Sequence, residues 1–370
     1  MISILFLCSD LHKMNMNSVC VSLFSKRHLE KFCNCKKFLS AKAYIFDKQF
    51  DNFPKATDFK LVEEELGPIK DGEFLTEAVY LSVDPYMRAY APRLKTGKTF
   101  LGSQVARILE SKNDKFPVGK HVVGEFGWRT HTISNGKPSP TGVPQAWVLP
   151  DFGDLPVSLA LGVLGMPGNT AYFGFLELCQ PKKGEMVFVT GAAGAVGSLV
   201  GQIAKIKGCK VVGIAGSDEK GKWLTDELGF DHFINYKSDD LVQKIRECAP
   251  NGIDCYFDNV GGEISSKIMF NMNTFGRISV CGAISGYNEN KPPKATLVQY
   301  PITMNQLRME GFIVHRWLDR WFEGIEQNRK WIQEGKLKYR ETVTHGFENM
   351  FNAFADMLKG GNIGKALVKV

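Results

Sequence analysis

No stretch of the 370 residues approaches the roughly 18 consecutive apolar residues that a membrane-spanning helix needs, so no membrane span is expected. Cysteine spacing of the zinc-binding kind is missing as well. The nine cysteines are odd in number, with Cys8, Cys20, Cys33 and Cys35 in the first 40 residues. Cys179, Cys209, Cys248, Cys255 and Cys281 lie scattered through apolar runs, as buried free thiols would. That usage points to a reducing compartment, with the cytoplasm as the expectation. His121, His131, His315 and His345 show no ligand spacing, so no metal site is expected. A basic stripe interleaved with aromatics is absent too. Residues 1–40 hold six Lys/Arg against Asp10 and Glu30, leaving only +3 of the net +7 for the remaining 330 residues. Nucleic-acid binding is therefore not expected. Internal repeats and low-complexity segments are also lacking.

What is present has the proportions of a soluble globular protein, 44% apolar and 23% charged. The length favours two domains. Residues 1–40, rich in Ser, Lys and Cys and poor in acid, read as a disordered extension or as a mitochondrial transit peptide, with Met14 or Met16 as other candidate starts. From Ala41 to Leu155, short β-like runs at Glu77–Val83, Gln104–Glu110, His121–Glu125 and Gln145–Leu149 alternate with Pro/Gly clusters. They predict a mostly antiparallel β domain. The rhythm then changes. Strand-like Glu185–Thr190, Lys210–Ala215, His232–Tyr236, Ile253–Asn259, Ile278–Ala283 and Gly311–Val314 alternate with helix-like Val196–Lys207, Ser217–Leu228 and Leu241–Cys248. That alternation predicts a parallel, doubly wound α/β sheet. Phe347–Lys359 reads as an amphipathic helix and Lys365–Val370 as a last strand.

The first βα turn carries the chemistry. Val187–Thr190 leads into Gly191-Ala192-Ala193-Gly194-Ala195-Val196-Gly197, a dinucleotide fingerprint with Ala192 in the first glycine place. Gly194 lets the backbone approach a pyrophosphate, Gly197 lets helix and strand pack closely, and the helix N-terminus favours an anion. The next strand ends at Ala215, followed by Gly216 and Ser217, where an NAD site would place an acid. Room for a 2′-phosphate and a counter-charge from Lys220 favour NADPH; as a plain alternative, Lys220 is a solvated surface lysine.

With those features in place, the chain from about Ala41 to Val370 resembles the zinc-independent medium-chain dehydrogenase/reductases, in their prostaglandin reductase and 2-alkenal reductase branch. The stretches that carry the resemblance are Val83-Asp84-Pro85-Tyr86-Met87-Arg88, Leu161–Gly174, Gly194–Lys207, Gly216–Lys220, Asp254–Gly262, Cys281–Asn288 and Gly361–Val370. The resemblance implies a GroES-like β-rich catalytic domain (41–160), a Rossmann domain (161–338) and a C-terminal segment (339–370) returning to the first. It implies a homodimer that reduces the carbon–carbon double bond of enones and enals with NADPH. By matching motif, Gly194, Ala195, Val196 and Gly197 would hold the pyrophosphate. Ser217 and Lys220 would meet the 2′-phosphate, with Tyr236 by the adenosine. Asn259, Cys281, Gly282, Ala283, Ile284, Ser285, Gly286 and Tyr287 would line the nicotinamide half together with Phe312, Ile313 and Val314. Asn362 would reach the cofactor from the C-terminal segment. Zinc relatives of the superfold use Cys, a Gly-His-Glu triplet and a further Cys; the corresponding places here are Asp84, Gly102-Ser103-Gln104 and Met166, which make no normal zinc site.

In this family the negative charge on the reacting carbonyl oxygen is met by a ribose hydroxyl and a tyrosine. The position that holds that tyrosine in the mammalian relatives is Met304 here. Tyr86, Tyr287 and Tyr300 are the candidates to take over, with Tyr86 preferred and ordinary packing the alternative for each. A quinone reductase, or a cofactor-binding protein without catalysis, stays open beside the enone reductase.

Overall fold

The computed structural model describes residues 39–138, 145–290, 296 and 298–370. Nearly all of the N-terminal extension, with its four cysteines and alternative start methionines, lies outside them. β1 (Leu39–Phe46) begins two residues before the expected boundary, since Leu39 and Ser40 already pair with Leu66 and Glu65.

The first domain is built from β1, β2 (Phe59–Leu66), β3 (Phe74–Ser82), β4 (Lys98–Thr99), β5 (Gln104–Ser111), β6 (His121–Gly124), β7 (His131–Ser134) and β8 (Ala146–Val148). β2-β1-β4 form one antiparallel sheet. The larger sheet runs β3-β5-β6-β8, with β7 also on β3. Alternation sends Tyr44, Phe46 and Phe59 inward, where they meet Phe100, Trp128 and Phe354 in one aromatic core. Phe59 stacks on Trp128 with ring centroids 5.3 Å apart.

The second domain carries β9 (Met186–Thr190), β10 (Lys210–Ala215), β11 (His232–Asn235), β12 (Ile253–Asp258), β13 (Met272–Val280) and β14 (Arg308–Gly311). All are parallel, in the order β11-β10-β9-β12-β13-β14. The order turns outward in both directions from β9, which sets the ligand crevice at the carboxyl ends of β9 and β12. Val187, Phe188 and Val189 are wholly buried because helices cover both faces.

Two expected strands shift. The β13–β14 register pairs Arg277 with Arg308 and Val280 with Gly311. β14 therefore ends where the apolar pattern suggested it begins, and β13 starts at Met272 and stops at Val280. The expected helix Ser217–Leu228 is α-helical over Asp218–Lys222 and continues as a π-helical turn, Trp223–Glu227.

The chain finishes in the first domain. β15 (Glu341–His345) lies beside β16 (Lys365–Lys369), which pairs antiparallel with β3. The helix between them, Met350–Leu358, buries Phe354 against Phe100 and Trp128.

Candidate functional site

The glycine turn leaves β9 at Thr190. Gly191 adopts φ +59°, so the left-handed residue is one place earlier than the fingerprint alignment through Ala192 suggests; Ala192 is buried. Gly194 N–H closes the turn on the Gly191 carbonyl at 3.0 Å. A Cβ on Gly197 would stand 2.4 Å from that same carbonyl oxygen, which reserves the place for glycine. The helix Gly197–Ile206 starts here, and the N–H groups of Val196 and Gly197 have no partner among the described residues. Beside Ala195 they present an anion site to the crevice. Gly364 pairs with Gly194 from the C-terminal segment, its N–H donating to the Ala193 carbonyl at 2.8 Å. Asn362 folds over the same contact, its side-chain amide donating to the Gly364 carbonyl at 2.8 Å.

At the end of β10, Ser217 caps the helix Asp218–Lys222 by accepting from Lys220 N–H. A Cβ on Gly216 would lie 3.0 Å from the Tyr236 ring and 3.1 Å from Lys237 Cε. Tyr236, 43% exposed, therefore covers the glycine, and Lys237 flanks it. Lys220 donates to the Gly360 carbonyl at 2.6 Å. Burial, and after it the Lys237 ammonium, pushes its pKa down. Two ammonium groups thus converge next to a floor with no side chain. The residues fit a dinucleotide with a 2′-phosphate. Lys237 escaped attention in the sequence, although it adjoins Tyr236; only the fold brings it beside Lys220.

At the carboxyl end of β12, Asp258 organises the opposite end of the crevice. Its buried carboxylate accepts from Val260 N–H, Gly261 N–H, Thr190 Oγ1 and Ser265 Oγ. Its carbonyl takes the N–H groups of Cys281 and Gly282. Asn259 donates from its side chain to the Thr190 carbonyl at 2.7 Å, and its own carbonyl takes Ile284 N–H. Ser285 donates to the Val260 carbonyl, and Gly286 N–H to that of Ala283. Phe312 packs on Phe257 and Trp317 and fills the space above Gly174. Val314 is core, and Ile313 is 58% exposed.

A cavity of about 320 Å³ opens between the domains. Ser103, Val123, Glu125 and Trp147 line it from the β domain, and Met166, His315, Trp321 and Phe322 from the other side. The Trp147 and Trp321 rings meet edge to face across it at 6.0 Å. Above, Arg88 is buried and ties the two sides together: Nε donates to Asn288 Oδ1 at 3.1 Å and Nη2 to the Asn52 carbonyl at 2.9 Å.

Tyr86 opens the short helix Tyr86–Tyr90. Its hydroxyl stands beside Ser103, with Glu125 and Asp84 close by. Burial first, then those two carboxyls, holds its pKa well above that of a free tyrosine, so it keeps its proton. Tyr287 is half-buried; its hydroxyl accepts Ala283 N–H at 3.1 Å, leaving its own proton to donate. Both tyrosines neighbour Tyr90. Tyr300 does not join them. Its segment is helical, Gln299–Met304, but the ring is 66% exposed and stacks on Phe270, past the end of the helix Gly262–Met269 that leads away from the crevice. Met304 is 60% exposed.

Under Tyr86, Lys365 is buried with all three donors used, on Asp84 Oδ1 (2.9 Å), the Val83 carbonyl (2.8 Å) and the Ala366 carbonyl (2.9 Å). Burial lowers its pKa, and Asp84 opposes the shift. A lysine thus balances the buried Asp84. Gln104 faces the other way, its amide donating to the Gly127 carbonyl at 2.9 Å. Among the described residues, no cluster of three His, Cys, Asp or Glu converges.

A β-rich domain closing over a parallel dinucleotide fold at such a cavity defines a medium-chain dehydrogenase/reductase. Residues 42–140 match the family described as the N-terminal domain of oxidoreductase, and residues 195–329 the one described as zinc-binding dehydrogenase. Prostaglandin reductase 1 of Bos taurus is 52% identical over 332 residues, 89% of this chain and 99% of that protein. The NADP⁺-dependent 2-alkenal reductase of Nicotiana tabacum is 40% identical, over 90% of this chain and 98% of its own. CurA from Vibrio vulnificus, solved in complex with NADPH, superposes with a TM-score of 0.81 at 36% identity, over 89% of this chain and 99% of that one. The chain belongs to the prostaglandin reductase family of zinc-independent medium-chain dehydrogenase/reductases.

Proposed function

We propose that the protein reduces the carbon–carbon double bond of α,β-unsaturated ketones and aldehydes with NADPH. The observation that carries this reading is the pairing of two features. One is a side-chain-free floor at Gly216 flanked by Lys220 and Lys237; the acids nearest Lys220, Glu219 and Asp356, come from the helix and the C-terminal segment rather than from the end of β10. The other is a largely apolar cavity whose Ser103 wall adjoins the Tyr86 hydroxyl. The relatives named as an NADP⁺-dependent 2-alkenal reductase and a prostaglandin reductase support it.

Bound NADPH supplies the hydride for the β-carbon. The chain supplies the rest. Gly194, Ala195, Val196 and Gly197 hold the pyrophosphate; Ser217, Lys220, Lys237 and Tyr236 hold the adenosine end. Asn259 and the 281–287 loop support the nicotinamide, and Asn362 braces the turn. Tyr86 donates a hydrogen bond to the carbonyl oxygen as charge grows there; one such donor lowers a barrier by about 3 kcal/mol. Tyr287 bounds the pocket on the nicotinamide side. The Trp147–Trp321 contact keeps water from the cavity floor, which strengthens that hydrogen bond.

The test is turnover. Purified protein given NADPH should oxidise it when a medium-chain enal or enone is added, and faster than with a naphthoquinone. Tight NADPH binding with no acceptor reduced would refute the reading and leave a binding protein.

A homodimer joined along β14 is part of the same proposal. β14 is an edge strand, and Phe275, Met304, Met309 and Ile313 beside it are 65%, 60%, 42% and 58% exposed. Met309→Lys should yield monomers by sedimentation; an unchanged mass, or a monomeric wild type, would refute it. Five free cysteines among the described residues support a reducing compartment, and we place the protein in the cytoplasm.

A further inference from the structure

The cavity between the domains is walled mainly by carbon, with Val123, Trp147, Leu161, Trp321 and Phe322 facing it. Two acids break that wall, Glu125 on the β-domain side and Asp319 on the other. Among the described residues that line it there is no Lys or Arg.

Neither acid is neutralised by a cation among the described residues. Glu125 keeps accessible surface, and its side-chain partner there is the Ser103 hydroxyl, which donates to Oε1. Asp319 is exposed in the opposite wall. The cations nearest in the chain or the fold are engaged elsewhere. Lys365 pairs with Asp84, Arg316 with Glu310, and Arg320 with Glu177 and Glu323. His315, the remaining basic group of the wall, has its pKa lowered by burial and is neutral on the alkaline side. The surface of Glu125 faces the chamber, so burial among protein atoms raises its pKa; the Ser103 hydrogen bond opposes the rise and Asp84 adds to it. The charge of the wall is therefore most complete at mildly alkaline pH.

We propose that Glu125 and Asp319 make the chamber a charge filter. It admits enals and enones with uncharged chains and turns away those whose chains bring a carboxylate into it. This rests on the enone-reductase reading and deepens it by naming the substrate class. A carboxylate entering the chamber exchanges water for an apolar wall and meets charges of its own sign, with no cation to balance it. One such repulsion inside a protein amounts to about a ten- to hundred-fold loss in binding. An alkyl chain or an ester meets only the apolar surfaces that hold it. A nine-carbon enal is smaller than the chamber, about 320 Å³, so its far end comes up against these walls.

The experiment gives the full chain NADPH and three acceptors at mildly alkaline pH. They are trans-2-nonenal, the nine-carbon trans-2-enal that ends in a carboxylate, and the methyl ester of that acid. The ester is bulkier than the acid, so a preference for it reports charge and not size. Wild type should use the ester about ten- to a hundred-fold better than the acid in kcat/KM, with most of the gap in KM. Glu125→Gln should narrow that gap by about tenfold. Asp319→Lys, in the other wall, should raise use of the acid relative to the ester. An acid used by wild type as well as its ester, or a gap that neither variant narrows, overturns the filter alone; the second result would leave desolvation as the cause. No turnover of any of the three acceptors overturns the enone-reductase reading, and the filter with it.

Discussion

Lys220→Ala is the sharpest probe of the adenosine end. In the free protein the ammonium makes one close contact, to the Gly360 carbonyl at 2.6 Å, with Lys237 as a neighbour of like charge. A 2′-phosphate arriving over Gly216 would give both cations a partner. A hydrogen bond to a charged group contributes about 1.5–3 kcal/mol, which converts to about a ten- to hundred-and-fifty-fold change in affinity. Lys237 remains in the variant, so the loss should fall in the lower half of that range. NADH lacks the phosphate and should bind the variant as it binds wild type. Fluorescence titration of both cofactors at one ionic strength reads the difference, salt being fixed because it screens such contacts. Equal losses for NADPH and NADH, or no loss for either, would refute the phosphate assignment.

Lys365→Met should destabilise the protein by about 3–5 kcal/mol in urea unfolding, because it strands the buried Asp84 carboxylate, and Asp84→Asn on top should restore part of it. Gly197→Ala should cost about 1–3 kcal/mol and abolish cofactor binding, since the new methyl meets the Gly191 carbonyl; normal NADPH titration of the variant would contradict the packing argument. Glu125 has a folded-state pKa above its ordinary 4.5, so the folded protein binds the extra proton between the two values. Its contribution to stability is therefore present at low pH and lost as pH rises through that window. Chemical denaturation across pH should show that fall in wild type and a flatter profile in Glu125→Gln.

The second domain was largely legible because its elements are local. Lys210–Ala215 and Leu241–Cys248 are found with the boundaries that periodicity and capping give, Asp240 capping the latter through Val242 and Gln243 N–H. The turn Gly191–Gly197 was legible as a phosphate cradle, though the left-handed duty falls on Gly191. Misses occur where a partner distant in sequence decides. β14 ends at Gly311 because β13 sets its register, and Cys281 and Gly282 leave the sheet because Asp258 captures their N–H groups. Lys237 and Glu125 lie outside the stretches that carry the family resemblance, and Asp258 and Lys365 lie inside them with no role legible from the motif. Their roles arise from neighbours on other strands, up to 281 residues away for Lys365 and Asp84. Tyr300 illustrates the converse. Its sequence position beside Met304 suggested replacement, and its helix carries it to Phe270 instead.

The contact of Gly364 with Ala193 has a mechanical consequence. The residue that touches the cofactor turn is followed directly by Lys365, whose ammonium lies under the reacting end of the cavity. Gly364 turns the chain at φ +70° and β16 begins at Lys365, so a single peptide link joins the pyrophosphate seat to the electrostatic floor of the substrate chamber. Loading one end would be felt at the other. Removal of the last few residues would then blunt cofactor affinity and substrate turnover in step, although none of the deleted atoms beyond Lys365 touches either molecule.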